Sequence, residues 1–379
     1  MTNFALPTVG VEEEYFIIDA GTMQPTATRG AVIAHARSMG IDAVSELTQV
    51  QVETNSPPLQ HLRDLREYVI STRTVLSAIA VSHGVRLLAT GVSPVPRADS
   101  GALPVSDGDR YRRLARTYGA LADSVATCGG HIHVEVPNKA TAVQVCNFVR
   151  PWLPALLAMT SNSPIHDGVD TGHATWRSTV WGRWPSAGPP PYLHSADHYD
   201  DLVASMIHTG VILDEASLYW DVRPSIHQPT IEVRVGDVPA VADEVALSAA
   251  LVRGLVVTAM RSIENGEYAP FVEDRHMTAA YHRARVYGLT GDGVDPFTGK
   301  LVPALSLLRS LVRCIKPALT ASGDTRYVET CLERLQHLGN GAQRQREVFA
   351  RTGDAAEVAT VAARCTTSDW SASVAHAAT

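Results

Sequence analysis

Polar and apolar positions alternate with a period of two in several short stretches of the chain and with a helical period in others. Residues Val9 to Ile18 are β-branched, aromatic and acidic and predict a strand. Gln49 to Thr54 predicts a second, stopped by Ser56-Pro57-Pro58. From Leu59 to His83 the positions Leu62, Leu65, Val69, Leu76 and Ile79 fall on one helical face, and Gly84 is the expected stop. Val85 to Gly91 returns as a strand, and Ser93 to Gly108, rich in Pro, Ser, Asp and Gly, predicts a surface loop. A helix is expected over Tyr111–Thr127 and a strand over His131–Val136, entered through Gly129-Gly130. Thr141–Met159 predicts another helix, bent at Pro151 and Pro154. Ser161–Tyr192 then forms a long irregular segment holding three tryptophans, Arg177 and Arg183, the kind of segment that builds lids and binding loops. Strands near Tyr219–Arg223 and Thr230–Val235 precede a helical C-terminal third. No linker, repeat or composition break divides the chain. The expectation is a single α+β catalytic domain over residues 1–379, an antiparallel sheet with helices packed on one side.

The strands carry an unusual polar pattern. Residues two apart share one face of a pleated strand, and such pairs are Glu12 with Glu14, Gln51 with Glu53, His131 with His133, Asp221 with Arg223, and Glu232 with Arg234. Val50, Val52, Ile132, Val134, Ile231 and Val233 occupy the alternate face. One face of the sheet therefore packs under helices while the other collects carboxylates, imidazoles and guanidinium groups. Carboxylates crowded together repel unless cations neutralise them. Oxygen-rich ligands with an occasional imidazole suit Mg²⁺ or Mn²⁺, and arginines suit phosphate oxygens. Together they suit a metal–nucleotide site.

Each part has a plainer reading. A Glu-Glu-Glu run also suits a solvated surface, and Glu53 or Glu232 alone suits an ion pair. His131 and His133 also suit a structural pair or two ligands of a metallohydrolase. The conjunction decides, because five polar-faced strands are poorly explained as solvent-facing edges.

Composition narrows the classes. The 379 residues carry a formal charge of −7 with histidines neutral, which gives no basis for binding nucleic acid or an anionic membrane. The most apolar stretch, Val245–Met260, is interrupted by Ser248 and Arg253 and is too short to span a bilayer, so a buried helix is expected. The five cysteines form no CxxC pair or disulfide framework. Met1–Pro7 lacks the pattern of a secretory leader, and a cytoplasmic protein is expected. There is no GxxxxGK[ST] loop, no GxGxxG after a strand and no GxSxG elbow. Lysines occur only at Lys139, Lys300 and Lys316, so phosphate must be handled by arginine, metal or backbone.

Several stretches resemble the carboxylate–amine ligases grouped as glutamate–cysteine ligase type 2. They are Thr8–Tyr15 (TVGVEEEY), Glu46–Pro58 (ELTQVQVETNSPP), Gly129–Val136 (GGHIHVEV), Ser161–Pro185 and Tyr219–Val238, with a weaker match towards the C-terminus. The resemblance implies a glutamine synthetase-like catalytic fold, a curved antiparallel sheet with helices on its convex side. It also implies ATP, two or more Mg²⁺ or Mn²⁺ ions and an acyl-phosphate intermediate. Carried over by motif, Glu12, Glu14, Glu53, His131 and Glu232 would bind metal, and His133 would lie near the nucleotide phosphates. Arg234 would stabilise the transferred phosphoryl group, and Arg223 and Arg177 would meet phosphate and the acid substrate. The expected reaction joins glutamate to an amine, cysteine by the family name, with small-molecule partners and a homo-oligomer left open. The alternatives are an amide synthetase using another acid or amine, a metal-dependent amidohydrolase, and a binding protein that keeps the pocket without turnover.

Overall fold

The computed structural model describes residues 6–97, 101, 103–124 and 126–370. Residues 1–5 of the N-terminal segment tested for a leader, parts of the 93–108 loop and Val125 of the 111–127 helix lie outside the described residues. Seven strands form one sheet: β1 (Val9–Asp19), β2 (Ala43–Ser45), β3 (Gln51–Asn55), β4 (Val85–Leu88), β5 (Gly129–Glu135), β6 (Val222–Pro224) and β7 (Thr230–Asp237). Their order is β2-β3-β1-β5-β7-β6, every neighbouring pair is antiparallel, and β4 pairs with the second half of β1 where β5 leaves off.

The alternation along the strands divides the sheet. Val9, Val11, Tyr15 and Ile17 of β1 are buried on one face, and Ile132, Val134, Ile231 and Val233 join them in the same core. Helix Ala242–Glu264 packs against β1 and β5 and also against helices Leu62–Ser82, Lys139–Val149 and Ala304–Ser322. It is the one described helix long and apolar enough to cross a membrane, yet most of it is buried within the fold. At about 25 cal/mol per Å² of apolar surface, burial of such a helix is a dominant source of stability.

Glu13 shows how strictly the period of two sorts the Glu12-Glu13-Glu14 run. It turns to the helical side, where it is 3% exposed and pairs with Arg73 of helix Leu62–Ser82. Arg73 also donates to the carbonyls of Pro239 (2.8 Å), Ala240 (3.2 Å) and Thr366 (3.2 Å), and Tyr15 donates its hydroxyl to Glu13 at 2.7 Å. A buried carboxylate is tolerable there because a guanidinium and a phenol satisfy it.

Several expected boundaries move. The helix expected over Tyr111–Thr127 is instead Asp109–Tyr118 and Ala120–Ser124, broken at Gly119, whose φ of 53° departs from helical backbone. The bent helix over Thr141–Met159 resolves into Lys139–Val149, a 3₁₀ turn at Arg150–Trp152, and Leu153–Thr160, with the prolines opening the later segments. The irregular segment contains helix Trp176–Trp181 and a two-residue ribbon, Ile165–His166 with Val169–Asp170. The strand expected over Tyr219–Arg223 is observed at Val222–Pro224, which leaves Asp221 outside it. Helices Arg29–Ser38 and Ala196–His208 were not expected from the sequence.

Candidate functional site

Strand pairing converts residues distant in sequence into cross-strand neighbours. Glu14 stands opposite Glu53, Glu12 opposite His131, His133 opposite Glu232, and Glu232 opposite Arg223. The register between β5 and β7 shifts between Gly130 and Ile132, so two residues of β7 face one of β5 beside His131. Above this face lies a cleft of about 930 Å³ that is open to solvent. Glu12, Glu14, Glu53, His131, Arg177, Arg223 and Arg234 all line it.

Two groups of ligand-capable side chains result. In one, Glu12, His131 and Glu232 offer atoms within 4.8 Å of one another. His131 Nδ1 lies 3.0 Å from Glu12 Oε2 and 3.8 Å from Glu232 Oε1, while His133 Nε2 lies 3.1 Å from Glu12 Oε1. In the other, Glu14, Glu53 and Glu46 satisfy the same limit. Glu46 belongs to no strand and was not singled out in the sequence. It follows β2 in a turn whose backbone is braced by Arg29, which donates to the carbonyls of Glu46 (3.2 Å) and Thr48 (3.1 Å). The signal that could have found it is the ELTQVQVE stretch itself, where a second carboxylate precedes Glu53 without sharing the strand period.

The two groups differ electrostatically. Burial opposes ionisation of Glu12, but hydrogen bonds from His131 and His133 hold its carboxyl well below the usual carboxylate range. Glu232 behaves likewise: burial opposes its charge, and Arg234 and Arg223 outweigh it. Arg223 Nε donates to Glu232 Oε2 at 2.9 Å, and Arg234 Nη1 bonds the other oxygen. In the second group, burial and the charge of Glu46 raise Glu14, and burial with Glu46, Glu12 and Glu14 raises Glu53 well above its ordinary value. Burial, aided by Arg234, depresses His131 and keeps its imidazole neutral, the form in which histidine binds metals. Burial acts the same way on His133, but Glu12 and Glu232 prevail and raise it.

These features fit divalent cations. Carboxylates that repel one another gain from a shared positive charge, and His131 Nε2 is buried without a hydrogen-bond partner. Glu12, His131 and Glu232 could hold one ion and Glu14, Glu46 and Glu53 another.

Guanidinium groups and aromatic rings form the rest of the cleft. Arg177, 3% exposed, projects from helix Trp176–Trp181 across Gly129, where a Cβ would lie 2.3 Å from Arg177 Nη2. A side chain at Gly129 would displace the guanidinium, and the Gly129 N–H donates to Glu14 Oε2 at 2.6 Å. The Nε atoms of Arg177 and Arg234 have no hydrogen-bond partner. Trp181, Trp184 and Tyr219 pack ring to ring at 4.9–5.8 Å as one wall, with the Arg177 guanidinium 5.7 Å from the Trp181 ring centroid. Arg183 is exposed. Asp221, expected to share a polar strand face with Arg223, instead accepts a hydrogen bond from Tyr281 at 2.8 Å and joins neither carboxylate group.

The Glutamate-cysteine ligase family 2 (GCS2) profile matches residues 8–363, nearly the whole chain. This chain belongs to that family. The Nocardia farcinica protein named "Putative glutamate--cysteine ligase 2-1" is 47% identical over 353 residues, covering 93% of this chain and 91% of the relative. A Mycolicibacterium vanbaalenii protein named "Putative glutamate--cysteine ligase 2-2" is 45% identical over 364 residues, covering 96% and 99%. Among solved structures, glutamate–cysteine ligase from Francisella tularensis in complex with AMP superposes with a TM-score of 0.67 at 12% identity, covering 99% of this chain and 93% of that one. A bifunctional glutathione synthetase from Pasteurella multocida gives 0.65 at 12% identity over 95% of this chain and 52% of its own. At that identity these two likenesses show the fold, and they agree with the family in what the fold is.

Proposed function

We propose that this chain is an ATP-dependent carboxylate–amine ligase, a single catalytic domain that activates glutamate and transfers its acyl group to an amine, for which the family's name points to cysteine. The observation that carries the reading is the pair of ligand groups, Glu12/His131/Glu232 and Glu14/Glu46/Glu53, which share one sheet face except for Glu46 in the turn after β2, together with the unpartnered Nε atoms of Arg177 and Arg234 in the same cleft. These residues would hold Mg²⁺ or Mn²⁺, which would supply positive charge against the terminal phosphates of ATP.

The protein's own residues do the positioning. A substrate carboxylate oxygen attacks the γ-phosphorus in line and ADP leaves. Arg234, fixed through Glu232, offers its free Nε to the transferred group. Arg223 spends Nε on Glu232 and holds that carboxylate in place. His133, its Nδ1 2.9 Å from the Thr230 hydroxyl, stands on the face where the phosphates would lie, and Glu12 and Glu232 favour its protonated form more than water does. Arg177 grips the acid substrate, and the Trp181/Trp184/Tyr219 wall keeps water from the acyl phosphate. The amine then attacks the acyl carbon, and phosphate departs with one of the original carboxylate oxygens. The sheet contributes chiefly orientation and charge stabilisation.

The amidohydrolase alternative lacks support from the donor set, since each ligand group among the described residues holds one imidazole or none. The test uses glutamate labelled with ¹⁸O in its γ-carboxylate. With ATP, Mg²⁺ and cysteine, label should appear in the released phosphate and a γ-glutamyl product should be found by mass. ADP formation independent of both acid and amine, or unlabelled phosphate, would refute the reading.

A further inference from the structure

Strand β7 carries Glu232 and Arg234 into the cleft and ends on Asp237, a fully buried carboxylate with no part in either ligand group. Asp237 Oδ2 accepts from Ser163 Oγ at 2.6 Å and from the Asn162 amide at 2.8 Å, and Oδ1 accepts from Thr175 Oγ1 at 2.8 Å. Each hydroxyl passes the arrangement on. Ser163 Oγ accepts from the Arg177 amide at 3.1 Å, and Thr175 Oγ1, the N-cap of helix Trp176–Trp181, accepts from the Ser178 amide at 3.2 Å.

A hydroxyl has one proton to donate. Only an acceptor without donors of its own can take the protons of both Ser163 and Thr175, leaving their lone pairs for the two helix amides. Aspartate meets that requirement and asparagine does not. Gly91 passes so close that a Cβ there would lie 2.7 Å from Asp237 Cγ and 2.9 Å from Ser163 Cβ, so the backbone packs directly against this pair. Asp237 also pairs across the sheet with Gly129, the residue over which Arg177 lies. No hydrogen bond holds Arg177 Nε, so the placing of the guanidinium depends in part on the backbone that carries it, beside its contact with the Trp181 ring and the charges of Glu14 and Asp237.

We propose that Asp237 is a positioning residue for Arg177, acting through the hydroxyls of Ser163 and Thr175 to set the helix that grips the acid substrate. This rests on the assignment of Arg177 to the acid substrate above. It ties the acid-binding arginine to the strand that carries the phosphate-binding one. Nothing in the spacing of the sequence marks Asp237, which lies beyond the last alternating polar pair.

Steady-state kinetics with separate titrations of acid and ATP test it. Asp237→Asn and Thr175→Val should raise KM for the acid on the order of tenfold while leaving KM for ATP unchanged, since they misplace one binding group and not the other. Thr175→Ser, which keeps the hydroxyl, should behave as wild type. In an Arg177→Lys background, Thr175→Val should add nothing further. Should Thr175→Val fail to fold, Ser163→Ala is read in the same way. Equal rises in both KM values, or an additive effect on top of Arg177→Lys, would overturn the proposal. Arg177→Lys leaving the acid KM unchanged would sink the assignment of Arg177 itself. An impaired Arg177→Lys beside a silent Thr175→Val and Ser163→Ala would sink the relay alone.

Discussion

Glu53 shows how the same side chain opposes the fold and serves the site. Burial and three neighbouring carboxylates raise its pKa well above the ordinary range, so the folded protein without cations prefers it protonated. A raised folded-state value means that its contribution to stability is complete below the ordinary carboxylate range and is lost as pH rises through the raised value. Glutamine at this position cannot ionise. In chelator, Glu53→Gln should therefore match wild type on the acid side and become the more stable protein as pH rises, by at most about 1.4 kcal/mol per pH unit within that window. Thermal or denaturant unfolding from about pH 5 to about pH 8 checks this. A stability difference that stays flat or narrows with pH would show that Glu53 is not crowded as described. The variant should also lose ATP turnover, because the charge that destabilises the empty site is the charge that would hold a cation.

Strands were the most legible elements because their alternation states both the conformation and the face. The period of two placed Glu12, Glu14, Glu53, His131, His133, Glu232, Arg223 and Arg234 on one side before any register was known, and pairing then set them beside one another. What escaped did so for physical reasons. Glu46 sits in a turn, where no period applies, and β2 beside it is three residues long, too short to show one. Asp221 satisfied the period but falls before the strand it was assigned to, and its carboxylate goes to Tyr281. Gly119 ends a helix that apolar spacing alone would continue. The Glu12-Glu13-Glu14 run carries the period furthest, since Glu13 points into the core. Removing its partner should show this: Arg73→Met strands a buried carboxylate between β1 and helix Leu62–Ser82 and should cost about 3–5 kcal/mol in denaturant unfolding. A loss below about 1 kcal/mol would mean that the pair is not the tie between sheet and helix.

Across the whole molecule, elements far apart in sequence brace the Arg177 side of the cleft. Helix Gly341–Thr352 reaches the 161–177 segment through Gln345 Nε2, which donates to Asn162 Oδ1 at 2.8 Å, and through Arg346, paired with Asp170 at 2.9 Å. Asn340, which caps that helix, also donates to the Ala158 carbonyl at 2.9 Å. The C-terminal third, where sequence motifs were weakest, thus holds the segment that carries Arg177, and long-range packing of that kind leaves no periodic trace. The proposed chemistry needs the two carboxylate-rich groups over this sheet face to hold the cations of a metal–nucleotide complex. Anomalous diffraction from a crystal grown with Mn²⁺ and a non-hydrolysable ATP analogue would locate those cations. Manganese peaks are expected at Glu12/His131/Glu232 and at Glu14/Glu46/Glu53, with the terminal phosphates between them and Arg234. Manganese bound elsewhere, or a nucleotide seated away from this face, would show that these groups are not the metal–nucleotide site.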